Sequence, residues 1–282
     1  MSAHAIDLDA YRRRIGDEGP MSPTLDTLTR LIGRHAASIP FENIEVLARR
    51  VPRLDLDSLA QKMVRRRRGG YCFEQNHLFL GCLGQMGFDV QGMEARVRAG
   101  VADDVITGRT HMALRVRIDG VDHLADVGFG GLAPLSPIRI ESGIEQAAAG
   151  SVYRLIDVAD GMLLQVQAAS GWSDCYCIGP VRPHPIDYEL GNWFVATHPK
   201  AMLGQNLLMA IASDRGRWTL FNNLLSRRRH ETDASEERVL KTRAEYVDAF
   251  ADVFAVDVDG ADVDAVMSAL ERQAGRSGGA PA

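Results

Sequence analysis

Cysteine is scarce in this chain. Four occur in 282 residues, Cys72, Cys82, Cys175 and Cys177, too few for a disulfide scaffold. The only close pair is Cys175-x-Cys177, and no His or Cys set accompanies it; zinc-ligand spacing is therefore absent and no metal is expected. An excess of basic residues is missing too. The formal charge is −5 at pH 7, which argues against sequence-independent nucleic-acid binding, since that needs a basic footprint. No run approaches the roughly 18 consecutive apolar residues of a membrane span. Residues 1–14 carry early acids, Asp7 and Asp9, and no long apolar stretch, so they do not read as a secretory signal. Internal repeats and low-complexity segments are absent. The expectation is a soluble protein of the reducing cytoplasm, with no nucleic-acid or membrane partner.

What is present is enough to build a core. Hydrophobic residues make up 46% and charged residues 24%, and the length suits two or three packed units. Residues 1–85 read as helical. Leu25, Leu28, Leu31 and Ile32 recur at helical spacing behind Pro23 and Thr24; Leu56, Leu59, Met63 and Val64 form a second face; Phe73 to Met86 form a third, stopped by Gly87. Near residue 88 the period becomes two. Val90–Val97, Met112–Ile118 and His123–Val127 read as strands, with a hairpin at Asp119-Gly120 and a second hairpin at Asp160-Gly161 between Tyr153–Val158 and Met162–Val166. This middle part is expected to be an antiparallel sheet rolled into a barrel. Residues 190–215 read as helical again, through Leu203, Leu207, Leu208 and Ile211. Trp218–Leu225 reads as one strand, Ala244–Phe254 and Val263–Ala274 as helices, and residues 275–282 as a frayed tail.

Chemistry concentrates around Cys72, in Arg68-Gly69-Gly70-Tyr71-Cys72-Phe73-Glu74-Gln75-Asn76. A helix N-terminus favours the thiolate, which is the form that attacks carbonyls. The Gly69-Gly70 pair lets the chain turn tightly and a substrate approach. His111 opens an apolar strand, and Asp126 ends another, next to Gly128-Phe129-Gly130-Gly131. The centre of the 111–126 interval falls beside Asp119-Gly120, so the hairpin is expected to set the two residues opposite each other. Asp126 would then accept the imidazole Nδ1–H and stabilise the imidazolium. A buried core cysteine, a strand-edge histidine and a turn-capping aspartate are the bland readings; the three in this order point to a nucleophile, its base and its orienter. Arg65–Arg67 reads as a solvated helix face, and Cys175 and Cys177 as small hydrophobes.

These motifs resemble the arylamine N-acetyltransferases. The likeness runs through Ile39-Pro40-Phe41-Glu42-Asn43, the Arg68–Asn76 segment, Arg109-Thr110-His111-Met112, Asp126-Val127-Gly128-Phe129-Gly130, Asp187-Tyr188-Glu189 with Asn192-Trp193, Thr197-His198-Pro199 and Leu220-Phe221-Asn222-Asn223. The resemblance implies an α+β fold in three parts: an N-terminal helical bundle bearing the cysteine (1–87), a central antiparallel β-barrel bearing His and Asp (88–189), and an interdomain helix with an α/β lid and tail (190–282). It implies a Cys72-His111-Asp126 triad laid out as in transglutaminases and papain-like proteases. It implies ping-pong transfer of an acetyl group from acetyl-CoA, a co-substrate with no bound cofactor beside it, to arylamines, hydrazines or arylhydroxylamines, an activity of xenobiotic metabolism. By the same likeness Phe41 and Phe129 line the acceptor pocket, Thr110, Gly130 and Gly131 flank the acyl-donor passage, and Glu42 and Arg68 form a structural ion pair. A homodimer is compatible with this reading.

The chain departs from the family pattern at Cys177, where an aromatic is expected, and at Ala201 and Leu203, where serine and phenylalanine are frequent. Those departures bear on substrate and CoA binding. The rival readings are a macrocycle-forming amide synthase of the same family, a transglutaminase-like cysteine hydrolase, and a binding protein with a spent site.

Overall fold

The structure, a computed structural model, describes residues 6–102, 104–213, 216–229 and 235–277. The N-terminal part holds α1 (Leu8–Ile15), α2 (Leu25–Ser38), the short α3 (Ile44–Leu47), α4 (Leu56–Leu59), which runs on into a π-helical turn over Ala60–Arg65, and α5 (Cys72–Gln85). Thr24 caps α2 by accepting from Thr27 N–H at 3.2 Å, as its place before the apolar repeat predicts. Gly87, at φ +87°, follows the end of α5 in the left-handed region that glycine tolerates.

One two-residue strand, β1 (Phe41–Glu42), interrupts these helices. The chain continues with β2 (Asp89–Val97), β3 (His111–Ile118), β4 (Val121–Ala125), β5 (Ile138–Arg139), β6 (Glu145–Ala148), β7 (Ser151–Val158), β8 (Gly161–Ala168) and β9 (Gly171–Ile178). Strands β2 to β9 form one antiparallel sheet in the order β5-β4-β3-β2-β9-β8-β7-β6. The sheet curls into a nearly closed barrel. Its two edges meet through the Gln146 side chain, which accepts from Arg139 N–H at 2.7 Å and donates to Arg139 C=O at 3.0 Å.

After α6 (Pro185–Thr197) come β10 (Leu208–Ser213), β11 (Gly216–Phe221), β12 (Leu224–Arg229), β13 (Ser235–Val239), α7 (Arg243–Asp248) with a π-helical turn over Ala249–Val253, and α8 (Gly260–Ser277). These strands form a second antiparallel sheet, β1-β10-β11-β12-β13. Phe41 pairs with Ala210 and Glu42 with Met209, so the N-terminal segment supplies an edge of the C-terminal sheet. Three apolar clusters result: one behind α5 and β3, one between the second sheet and α7–α8, one inside the barrel.

Four expectations need correction. Residues 208–213 are a strand, not helix. The unbroken apolar run over 207–212, buried at Met209, Ala210 and Ala212, carries no period that separates a buried strand from a buried helix. Residues 218–225 span a hairpin, turning at Asn222-Asn223 with Asn222 at φ 52°, a conformation asparagine tolerates. The second barrel hairpin turns at Ala159-Asp160, with Gly161 already paired to Val158. Residues 275–277 continue α8; 278–282 lie outside the described residues, as do His4 and His230.

Candidate active site

Cys72 is the first residue of α5. The turn before it is tight because Gly69 sits where a Cβ would run into the Pro40 carbonyl. Gly70 N–H donates to Pro40 C=O at 3.3 Å, and Gly70 C=O accepts from Glu42 N–H at 3.1 Å and from Gln75 Nε2 at 2.9 Å. Tyr71 is extended, and its N–H donates to Glu74 Oε2 at 3.1 Å. That leaves Cys72 at the positive end of the helix, 5% exposed. Its Sγ lies 3.6 Å from Thr110 C=O.

His111 starts β3, and Asp126 follows the last residue of β4. The hairpin turns at Asp119-Gly120, both at positive φ, and pairs Leu114 with Ala125. In this register Asp126 falls opposite residue 113 and not His111, a slip of two residues from the expected pairing. Two residues is one full strand period, so both side chains stay on one face and meet diagonally. His111 Nε2 lies 2.7 Å from Asp126 Oδ2. The nitrogen involved is Nε2, not the expected Nδ1, so Asp126 leaves Nδ1 unclaimed. Burial disfavours charge on the ring, but the Asp126 carboxylate outweighs it, and with the Cys72 sulfur raises the His111 pKa to about 10. Burial likewise opposes the Asp126 carboxylate, and His111, Asn76 and Gly128 N–H together hold it below the ordinary carboxyl range.

Asn76 is the residue that sequence reasoning passes over. Its Nδ2 donates to Asp126 Oδ1 at 2.9 Å and to Met112 C=O at 2.7 Å, and its Oδ1 accepts from Val127 N–H at 3.2 Å. It lies four residues after Cys72, on the same helix face, which is the signal that finds it. Gly128 N–H adds a second bond to Asp126 Oδ1 at 2.8 Å. A Cβ on Gly128 would stand 2.8 Å from Cys72 Cα and 2.7 Å from Asn76 Nδ2, so only glycine lets this loop lie on the start of α5.

Aromatic rings wall the imidazole. Phe129 meets His111 edge-on at 4.8 Å between centroids, Tyr176 lies 4.6 Å away, and the two rings are 4.7 Å apart. Tyr176 is fully buried with an unpartnered hydroxyl; burial, then the nearby Asp126 charge, raise its pKa well above the usual phenol value. A period-two strand predicts that Tyr176 points inward but not which ring it meets. Phe41 is buried, and a Cβ on Gly130, which has φ +59°, would lie 3.6 Å from its ring and 3.8 Å from Ala210. Gly131 C=O accepts from Arg217 Nη1 at 2.9 Å.

Glu42 is fully buried. Its Oε1 accepts from Arg68 at 2.9 Å and its Oε2 from Ile44 N–H at 2.8 Å. Arg68 also reaches Asp262 at 3.1 Å, and Arg50 holds the other oxygen of Asp262 at 2.6 Å. The pair is thus part of a chain of charges that ties the residues beside Cys72 to α8. On the other side of the turn, burial pushes the Glu74 carboxyl up to about 7 even though Lys62 lies 2.7 Å away. The other three cysteines are buried, and burial raises each of their thiols, Cys175 to about 12. Among the described residues no three His, Cys, Asp or Glu side chains group as metal ligands would, and no described helix is long and apolar enough to cross a membrane.

The family profile described as N-acetyltransferase matches residues 24–263. The chain belongs to the arylamine N-acetyltransferase family. It is 38% identical over 269 residues to the arylamine N-acetyltransferase of Mycolicibacterium smegmatis, covering 93% of this chain and 97% of that one. The solved arylamine N-acetyltransferase of M. tuberculosis superposes with a TM-score of 0.89 at 35% identity, over 94% of this chain and 100% of that one. The Mycobacterium marinum enzyme, solved in complex with CoA, superposes at 0.88, also at 35% identity, over 94% of this chain and 99% of that one. Membership of an acyl-transferring family makes this chain an enzyme and a transferase.

Proposed function

We propose that this enzyme moves an acetyl group from acetyl-CoA to the nitrogen of arylamines and hydrazines, and to the oxygen of arylhydroxylamines, through an acetyl-cysteine. The observation that carries the reading is the 2.7 Å bond between His111 and Asp126 beside a cysteine at a helix N-terminus. Capture of CoA by the M. marinum relative supports the donor.

In the first half-reaction the Cys72 thiolate, paired with the His111 imidazolium, attacks the thioester carbonyl. The tetrahedral oxyanion collapses to acetyl-Cys72, and CoA leaves as the thiol, taking the proton from His111. The Cys72 backbone N–H, which has no carbonyl to reach inside the first turn of α5, is one donor to that oxyanion. In the second half-reaction the amine attacks acetyl-Cys72, His111 takes its proton, and the thiolate–imidazolium pair is restored. Asp126 holds the ring in place throughout, and Asn76 holds Asp126.

Weakly basic amines suit this site. An arylamine is largely uncharged at pH 7 and enters an apolar pocket without shedding the hydration of a charge. Phe41 and Phe129 form that pocket in this reading, with Thr110, Gly130 and Gly131 along the path of the acyl donor. The three-part division at 1–87, 88–189 and 190–282 and a cytoplasmic setting belong to the same reading, which four free thiols support. Initial-rate kinetics test it. Double displacement predicts parallel double-reciprocal lines when acetyl-CoA and arylamine are varied together; intersecting lines would mean direct transfer within a ternary complex.

A further inference from the structure

The segment Gly130–Leu132, which follows Phe129, is a single turn of 3₁₀ helix that its own bonds hold poorly. Leu132 N–H reaches Phe129 C=O at 3.4 Å and Ala133 N–H reaches Gly130 C=O at 3.3 Å, both beyond the usual length. Its two adjacent glycines have the most backbone freedom to lose.

What fixes the turn comes from both sheets. Arg217 and Thr219 lie on one face of β11, two residues apart, while Trp218 and Leu220 on the other face join the apolar cluster beside α7 and α8. Arg217 Nη1 donates to Gly131 C=O at 2.9 Å, and Arg217 Nη2 donates to the Tyr153 hydroxyl oxygen at 3.3 Å. The Tyr153 hydroxyl, on β7 of the barrel, points its own hydrogen at Leu132 C=O, 3.2 Å away, and Ala133 C=O, 3.3 Å away. The guanidinium and the phenol thus cover three successive carbonyls. Thr219 closes the space over Gly131, where a Cβ would stand 2.7 Å from its methyl.

Arginine is a costly choice for a merely structural tie. Arg217 is 6% exposed, and among the described residues it has no carboxylate partner; its bonds go to one carbonyl and one phenol. Burying a charge without a paired acid is unfavourable, and an apolar side chain of similar volume in its place often leaves a fold as stable or more so. What the guanidinium adds is a planar fork that serves two acceptors at once in fixed geometry.

We infer that Arg217, acting through Gly131 and Tyr153, is a positioning residue for the donor half of the reaction. It holds the Gly130–Leu132 turn in the shape that leaves the acyl donor its path to Cys72, on the reading that acetyl-CoA passes Gly130 and Gly131. The start of the same loop is held separately, by Val127 N–H on Asn76 and Gly128 N–H on Asp126. Freeing the turn therefore leaves the His111–Asp126 bond in place and affects capture of the donor.

Stopped-flow release of CoA over a range of acetyl-CoA concentrations, beside the rate of Cys72 alkylation by iodoacetamide, tests this. Iodoacetamide needs the thiolate but no coenzyme path. In Arg217→Met the half-saturating acetyl-CoA concentration is expected to rise about tenfold, the worth of one hydrogen bond from a charged group, with the limiting rate within about threefold and alkylation within about twofold of wild type. Tyr153→Phe should raise it about threefold. Arg217→Lys, which keeps the charge and loses the fork, should fall between wild type and Arg217→Met. The double variant of Arg217→Met and Tyr153→Phe should lose less than the product of the two, since both side chains hold one turn. Half-saturation unchanged in both single variants, or alkylation falling in step with acetylation as a merely structural role requires, would overturn the inference. A wild type that iodoacetamide alkylates and acetyl-CoA does not acetylate would instead overturn the donor reading, and the inference with it.

Discussion

His111 Nε2 and Asp126 Oδ2 are 2.7 Å apart in a site from which water is nearly excluded, both residues being 1% exposed. Their bond keeps the imidazole charged well past neutrality, since the His111 pKa stands near 10. The stability that follows has a definite sign. A histidine whose pKa is raised on folding stabilises fully below its unfolded value of about 6.5 and loses that contribution as pH climbs toward 10. Asp126, lowered on folding, contributes above the ordinary carboxyl value and loses it in acid. In Asp126→Asn the burial of His111 is unopposed. We expect the fall in unfolding free energy between about pH 6.5 and 10 to flatten, and acetyl transfer at pH 7 to drop on the order of 10²- to 10⁴-fold. Urea titrations across that range, with rates at pH 7, check both; an unchanged pH slope would refute the coupling.

Gly128 bears on the nucleophile through space alone. In Gly128→Ala the new methyl lies 2.8 Å from Cys72 Cα, so the loop or the helix start has to move. Overpacking of this kind costs about 1–3 kcal/mol. The rate of Cys72 acetylation should fall at least tenfold, because misplacement by about 1 Å already costs on the order of 10²-fold. Stopped-flow release of CoA measures it, and a rate within twofold of wild type would show that the contact does not position Cys72.

The Glu42–Arg68–Asp262 chain predicts an asymmetry. Arg68→Ala removes the ion-pair partner of a carboxylate that is 0% exposed, leaving it the Ile44 N–H and the charge of Lys62, at a cost of up to about 3–5 kcal/mol. Asp262→Asn leaves the Glu42–Arg68 bond intact, and Arg50, its other partner, is half exposed, so its cost should be nearer 1 kcal/mol. Chemical denaturation of the two variants ranks them; equal losses would mean that the link to α8 matters as much as the pair itself.

Glu74 predicts a slope of opposite origin. Its carboxyl, raised to about 7 by burial, keeps its proton longer in the folded state than in the unfolded one. Its contribution to stability therefore declines as pH rises from about 4.5 to 7. Glu74→Gln should remove that decline, so the difference between variant and wild type should tilt toward the variant across the interval. Paired melts at pH 5 and pH 7 read it directly, and a constant difference would contradict the raised carboxyl.

Much of this was legible in the residues because local chemistry and global pattern agree. Thr24, Asp119-Gly120 and the apolar repeat of α5 each mark an element that the structure contains. The approach of His111 to Asp126 was legible through parity: a register wrong by two keeps the face, whereas a register wrong by one would have parted them. Which imidazole nitrogen meets Asp126 depends on ring orientation, set by Phe129 and Tyr176, and no spacing reveals it. Residues 207–212 are apolar without period, so tertiary pairing with β1 and β11 decides their conformation. The reach of Arg68 to Asp262 spans most of the chain and leaves no trace in either local segment.

Mass spectrometry of the intact protein, mixed with acetyl-CoA in the absence of any amine, detects the acetyl-enzyme itself. One acetyl group is expected on Cys72, absent in Cys72→Ala and discharged when an arylamine or a hydrazine is added. Protein that forms no adduct while its Cys72 still reacts with iodoacetamide would contradict it, and would turn attention to carrier-bound acyl donors or to hydrolysis.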